Sequence, residues 1–404
     1  MVRYVSATEG QVQVREEPIA MLDLISDIRS TTANESHSEV KLSGQAIGAT
    51  LFRVIENLGL PLDRLVGQGY DGAAAMSSER VGVSSIIQAS APLADYFHCC
   101  MHALNLSGLQ STNVVAVRHC MNEIKEMVSF FKYAKRNSHL VKVIKQNQGS
   151  DEDAMIQTTK RQHLVSLCQT RFVERHEAVF VARQLLPSVV TAFEDMVMWN
   201  SLETRKNARR LLNSIQTAEF LITLIIWEQV SSLLRPVSRC LQAVGNDLIS
   251  AVSTIQALQS KLQVLRDDRD NEFQVLFEDA RVLAAEVGVT PEEMSCVPRA
   301  PRSVYRLNAG AADQDSSAYY RINVYFPMLD SILQDLKARF SPHHQKVAGL
   351  SSLVPSFISK SVWSDVVPAF NKYAVFLDSI DVVKVSVLCL LVGMVCGSVC
   401  IPSC

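Results

Sequence analysis

The feature that most constrains the fold of this chain is a change of sequence periodicity near residue 112. Before that point, four short strand-like runs, "VRYVSA", "QVQVREEPIAML", "LVGQGY" and "LADYFHC", are separated by turns or by helical patterns such as "GQAIGATLFRVIENLGL". After it, the strand patterns stop and apolar residues recur at helical spacing. This order predicts an α/β region, with helices packed on a mixed sheet, followed by a large all-helical region.

Long helical patterns after residue 112 are interrupted at two places. The polar stretch 145–162 predicts a linker, and the Pro-, Gly- and Ser-rich stretch near 289–318 predicts an exposed loop. We therefore divide the sequence into an α/β core (1–111), a connecting helix (112–144), a linker (145–162), a helical domain (163–345), a residual helical segment (346–380) and an apolar, Cys-rich tail (381–404).

The charge balance limits how this chain could bind a polyanion. The formal net charge of the 404 residues is −2, so any attraction to nucleic acid must come from a local basic patch. Two basic runs could form one, although ordinary solvated helix faces explain them equally. They are "FFKYAKRN", with Lys132, Lys135 and Arg136, and "ETRKNARRLL", with Arg205, Lys206, Arg209 and Arg210.

The cysteines and the apolar tail bear on the cellular compartment. Ten cysteines are scattered along the chain, and the first residues lack the pattern of a secretory signal, so we expect reduced thiols in the cytosol or nucleus. The uncharged stretch 385–401 has the minimum length of a membrane span. A tail anchor, a stray terminus from a misread gene model and a buried helix all remain open for it.

Two polar clusters follow neighbouring strand-like runs. In "YDG", Asp71 follows one run and precedes a glycine, which suits a metal-binding carboxylate but equally a turn aspartate. In "HCCMH", Cys99 and His102 share the spacing of one helical face. Zinc binding and a buried, hydrogen-bonded His–Cys pair are the alternatives there.

A third cluster combines cations with an aromatic residue. The stretch "CQTRFVERHEAV" contains Arg171, Phe172, Arg175 and His176. Cations beside an aromatic ring can bind phosphate and stack an unpaired base. An amphipathic helix start with Phe172 in the core is the alternative.

In this order, the pieces resemble the hAT superfamily of transposases, and in particular its domesticated branch with the zinc finger MYM-type-like proteins. The resemblance covers about residues 2–375. It depends on "VRYV", "GQGYDGAAAMS", "ADYFHCCMHALNL", "CQTRFVERHEAV" and "YYRINVYFPMLDSILQDLKARF". The resemblance implies a partial RNase H-like fold with flanking helices, interrupted by a large helical insertion. It also implies a nuclear or cytoplasmic protein, and the partners it implies are DNA, another protein or related transposase-like chains.

The resemblance also implies roles for particular residues. Members of the family cut and rejoin DNA with two Asp and one Glu that hold two divalent metal ions. Asp71 matches the second acid, Cys99 and His102 match a Cys-x-x-His motif beside the active site, and Phe172 replaces the Trp of an Arg-Trp motif whose aromatic stacks on a flipped base.

Departures from the family pattern point away from catalysis. The chain begins at the strand that follows the first acid, and no Glu-Arg-x-Phe pattern marks the third acid. With Asp71 as a vestigial metal acid, we expect no cofactor and an inactive scaffold that binds nucleic acid or protein. The alternatives are an active Mg²⁺- or Mn²⁺-dependent nuclease, with Glu16 or Glu17 supplying an acid, and a tail-anchored membrane protein.

Overall fold

The protein is mostly helical, with a small parallel sheet of two strands and a separate β-hairpin. The computed structural model describes residues 2–8, 11–31, 40–148, 163–166, 172–243, 248–268, 271–297, 315–351 and 363–374. The chain divides into two compact units. Unit 1 comprises Met1–Ala103, Ala243–Val252 and Arg339–Cys404, and unit 2 comprises Leu104–Gln242 and Ser253–Ala338.

The strands of unit 1 pair as two separate sheets. Strands β1 (Val2–Thr8) and β2 (Gln11–Glu17) form an antiparallel hairpin, and strands β3 (Gly67–Tyr70) and β4 (Asp95–His98) pair in parallel. Within the described residues no pairing joins the two sheets, so the prediction of one mixed sheet is wrong in that respect. A hairpin can pair through a local turn alone, whereas β3 and β4 need the intervening helices as a crossover.

In the part of unit 1 that the structure describes, four helices lie within the first hundred residues and another comes from the C-terminal part of the chain. They are α1 (Leu24–Thr31), α2 (Gly44–Asn57), α3 (Ala74–Ser77), α4 (Val83–Ser90) and α16 (Trp363–Tyr373). The Ser43 side chain caps α2 by accepting the Ala46 amide, and the chain leaves α2 through Gly59 at φ +65°. The core of the unit contains Ile47, Val83, Ile87, Ala91 and Ala94.

Unit 2 is a helical bundle. Helix α5 (Cys100–Gln110) enters it from unit 1, and α15 (Phe326–Ser351) leaves it. Between them lie α6 (Val115–Phe130), α7 (Ala134–Gln148), α8 (Phe172–Val197), α9 (Leu202–Ile215), α10 (Ala218–Gln242), α11 (Leu248–Asp267), α12 (Asn271–Glu286), α13 (Pro291–Met294) and α14 (Ser316–Tyr320). A π-helical turn, Arg321–Tyr325, joins α14 to α15.

Helix α10 is the centre of the bundle. It packs against α6, α8 and α12, and its Trp227 is buried, with the indole Nε1 donating to the Ser111 hydroxyl over 3.4 Å. Among the described residues, α10 is also the one helix long and apolar enough to cross a membrane. Because most of it is buried against its neighbours, and core helices have the same composition, this finding is weak evidence for a span.

The predicted segment boundaries differ from the observed helix bounds at several places. The predicted connecting helix over 112–144 is two helices, because α6 ends at Phe130 and α7 begins at Ala134. Helix α7 continues into the first residues of the predicted linker. Residues 149–162 of that linker, 298–314 of the predicted loop and the whole tail 381–404 lie outside the described residues. The domain division itself stays a prediction.

Candidate functional site

Asp71 and Cys99 follow the two parallel strands of unit 1 at the same edge. Tyr70 and His98 are register partners at the ends of β3 and β4, and the Cys99 amide donates to the Tyr70 carbonyl over 2.9 Å. The carboxyl ends of parallel strands face the same side, so both residues emerge at one edge of the sheet. The structure therefore brings together the acid and the Cys/His group that the sequence placed at neighbouring strand ends.

His98 is a member of this edge that the sequence interpretation missed. Its ring lies 5.6 Å from the ring of His102, centroid to centroid, and a Cβ on Gly72 would meet the His98 ring at 2.6 Å. Burial lowers the pKa of His98, His102 and Arg339 lower it further, and Asp71 opposes them. Its Nε2 is buried and has no hydrogen-bond partner in the described part of the chain.

The pairing of the two histidines corrects one interpretation of "HCCMH". The sequence interpretation placed Cys99 and His102 together on one helical face and left His98 out of that group. Strand β4 instead ends at His98, and α5 begins at Cys100. Cys99 is exposed, so the prediction of a buried His–Cys pair is wrong.

The described residues at this edge do not fit a pair of metal ions. Two-metal chemistry needs several carboxylates converging on both ions. Within the described ranges, no three His, Cys, Asp or Glu side chains are grouped closely enough to hold a metal ion. Asp71 is exposed, and its Oδ1 accepts the Ala73 amide over 3.3 Å, as in a turn aspartate. Glu16 and Glu17, the alternative acids, are exposed on strand β2.

The third predicted cluster lies at the start of α8. Arg171 lies outside the described residues, as do the side chains of Phe172 and Arg175. His176 is 5% exposed, and its Nδ1 lies 2.8 Å from the Ser231 hydroxyl oxygen. Burial lowers its pKa to about 4, so its ring is neutral near pH 7. The nucleic-acid role of these four residues stays a prediction.

Helix α7 presents a basic outer face. Its apolar residues Leu140, Val143 and Ile144 are buried. At helical spacing on the other side lie Lys135, Lys142 and Lys145, which are exposed, and the helix contains no Asp or Glu. We use "basic surface" for five residues of this helix and the turn before it: Lys132, Lys135, Arg136, Lys142 and Lys145.

The two basic runs of the sequence meet beside this surface. An Arg136 guanidinium nitrogen donates to the Thr204 hydroxyl over 3.3 Å, and Arg205 and Lys206 follow on α9 as exposed residues. Arg209 is exposed as well, whereas Arg210 forms ion pairs with Glu126 and Glu123.

Two aromatic residues that the sequence interpretation missed belong to this region. The Lys135 amino group lies 5.0 Å from the ring centroid of Trp199, and the Arg136 guanidinium lies 4.5 Å from that of Tyr133. Tyr133 is 65% exposed. Its position between Lys132 and Lys135 was the signal in the sequence. The nearby carboxylate of Asp195 lies 2.9 Å from His139 Nε2.

A cleft of about 670 Å³ adjoins Tyr133 in unit 2. Phe130, Tyr133 and Arg136 form one part of its lining. The remaining lining residues are polar or charged apart from Leu211, and they are Asn122, Lys125, Glu126, Ser129, Glu203, Asn207 and Arg210.

These observations define a helix-rich protein of two units, one with an Asp/Cys/His edge on a small parallel sheet and one with a basic, aromatic surface. Sequence comparison shows distant homology to two curated proteins, both called 52 kDa repressor of the inhibitor of the protein kinase. Identity is 25% over 319 residues for the Mus musculus protein and 24% over 318 residues for the Homo sapiens protein. In both cases the alignment covers 76% of this chain but only 40% of the relative. No family model and no solved structure matches the chain.

Proposed function

We propose that this chain is a transposase-derived scaffold that binds nucleic acid through the basic surface of unit 2 and does not cut it. The observation that carries the proposal is the outer face of α7, where Lys135, Lys142 and Lys145 are exposed and no carboxylate lies on the same helix. In a protein with a net charge of −2, such a local concentration of cations suits the phosphate backbone, whose binding releases condensed counterions.

A hAT origin and an RNase H-like core for unit 1 are part of the same proposal. Their support is the order of a hairpin followed by two parallel strands with helical crossovers, and an acid directly after β3. The distant homology to the 52 kDa repressors is compatible with this origin. DNA in the nucleus is the partner we propose, and the free thiols of Cys99, Cys120 and Cys296 suit a reducing compartment.

The scaffold role differs from the active-nuclease role in what it requires of Asp71. Two-metal cleavage tolerates little displacement of its carboxylates. The experiment is a plasmid-nicking assay with Mn²⁺, in which wild type and Asp71→Ala should give the same background. Nicking by the wild type that is abolished in Asp71→Ala would replace the scaffold proposal with an active enzyme.

Binding is tested by fluorescence anisotropy with a labelled DNA of 20 nucleotides over a series of salt concentrations. The double variant Lys142→Glu/Lys145→Glu reverses two exposed charges of the basic surface. Each lost phosphate contact should reduce the slope of log affinity against log salt by about 0.7–0.9. The double variant should therefore flatten the slope by about 1.4–1.8 and bind more weakly at every salt concentration.

The matched control is Lys261→Glu/Arg281→Glu, which changes the net charge equally through exposed residues of α11 and α12. It should retain most of the wild-type affinity. An equal loss in the control would show that overall charge matters and that the basic surface does not. Absence of DNA binding by the wild type, together with a salt-independent interaction with a protein, would replace nucleic acid with a protein partner.

A further inference from the structure

Tyr133 is exposed, and its ring contacts a side chain that is itself anchored in the bundle. The Arg136 guanidinium lies between two rings, 4.5 Å from the centroid of Tyr133 and 4.2 Å from that of Phe130. The same guanidinium donates to the Phe130 carbonyl and to the Thr204 hydroxyl. Phe130 in turn packs edge-on against buried Phe193, with centroids 5.2 Å apart. A chain of contacts therefore connects an exposed ring to the core of the bundle.

We propose that Tyr133 stacks on an unpaired base, which makes single-stranded nucleic acid the ligand class of the basic surface. This inference rests on the proposed function. Arg136 covers part of the Tyr133 ring, and 65% of the residue remains open to solvent. An exposed aromatic face beside cations is what sequence-tolerant binding of single strands uses, because every base offers a π-face. In a duplex the bases are already stacked on one another.

The adjoining cleft fits a base edge better than a phosphate. Its lining alternates amides with both signs of charge, including Asn122, Asn207 and Glu203. Amides and carboxylates can bond to base edges, and a carboxylate accepts from an exocyclic amino group. The carboxylates of Glu126 and Glu203 offset two of the three cations in the lining, so the cleft attracts a phosphate less strongly than the exposed Lys132 and Lys135 do. The phosphates therefore lie outside it, at the exposed side chains of Lys132 and Lys135.

The experiment compares three fluorescent ligands of equal length: a single strand, the same strand with abasic sites, and a duplex. Loss of base stacking costs about 1–3 kcal/mol per base, so Tyr133→Ala should weaken single-strand binding about 5- to 150-fold. Binding of the abasic strand and of the duplex should stay within about twofold. Tyr133→Phe, which keeps the ring, should bind the single strand within about threefold of wild type.

The outcomes separate this inference from the proposed function. If Tyr133→Ala leaves single-strand binding unchanged while Lys142→Glu/Lys145→Glu weakens all three ligands, the stacking role is wrong and the basic surface stands. If the duplex binds as tightly as the single strand in the wild type, the ligand class is wrong. If no ligand binds, both proposals fail. Circular dichroism of each variant verifies that the bundle remains folded.

Discussion

Buried His176 gives the helical bundle of unit 2 a stability that depends on pH. Its ring is 5% exposed and lies 2.8 Å from the Ser231 hydroxyl oxygen. Burial lowers its pKa from 6.5 to about 4, with Arg235 and Arg239 acting in the same direction and Glu177 opposing them. The folded protein therefore holds this histidine neutral over a pH range in which the unfolded chain protonates it.

The sign and size of the effect follow from this difference in pKa. Because the unfolded state binds the proton more readily, lowering the pH favours unfolding. The contribution is fully present above pH 6.5 and is lost as the pH falls from 6.5 to 4. One pKa unit corresponds to about 1.4 kcal/mol, so the full loss is about 3 kcal/mol. Between pH 7 and pH 5 the free energy of unfolding should fall by about 2 kcal/mol through this residue.

The test is His176→Gln, which keeps a hydrogen-bonding side chain beside Ser231 and removes the titration. Urea unfolding followed by circular dichroism at pH 7 and pH 5 gives the free energies. The variant should lose about 2 kcal/mol less than wild type between the two pH values. If His176→Gln and wild type respond equally to pH, the assignment is wrong.

Three further predictions concern packing. Gly44→Ala should destabilise unit 1 by several kcal/mol in a thermal melt, because the added Cβ would lie 2.1 Å from a backbone oxygen. Gly59→Ala should cost only about 1 kcal/mol, because the Cβ would enter open space and the cost comes from the backbone at φ +65°. Trp227→Ala should cost about 3–5 kcal/mol in urea unfolding; a cost below 1 kcal/mol would contradict its place in the core. Exposed Cys99 should react with a thiol reagent in the native state, while buried Cys120, whose pKa burial raises, should react only after unfolding.

Local patterns were sufficient to predict several elements of unit 1. Helix α2 follows its apolar spacing and ends before Gly59, and the hairpin and strands β3 and β4 lie where alternation and turns indicated. Sheet membership could not be predicted in this way, because strand pairing depends on tertiary partners that alternation does not specify. The helical periodicity of 112–144 likewise did not reveal the break after Phe130.

In the candidate sites, too, some features could be predicted from the sequence and others could not. The strand ends that carry Asp71 and Cys99 were predicted from sequence, because parallel neighbours share an edge. The pairing of His98 with His102 was not, since it depends on the residue at which the strand gives way to the helix. The proximity of Lys135 to Trp199 depends on how separate helices pack, and their sequence separation gives no indication of it.

The ion pair between Asp95 of β4 and Lys372 of α16 joins residues that are 277 positions apart. At a translation rate of roughly 5–20 residues per second, about 14–55 s separate the emergence of the two residues from the ribosome. All of unit 2 is synthesised in that interval. Nascent unit 1 therefore lacks this contact until α16 has left the ribosome, so we expect β4 to be a site at which chaperones act during biosynthesis.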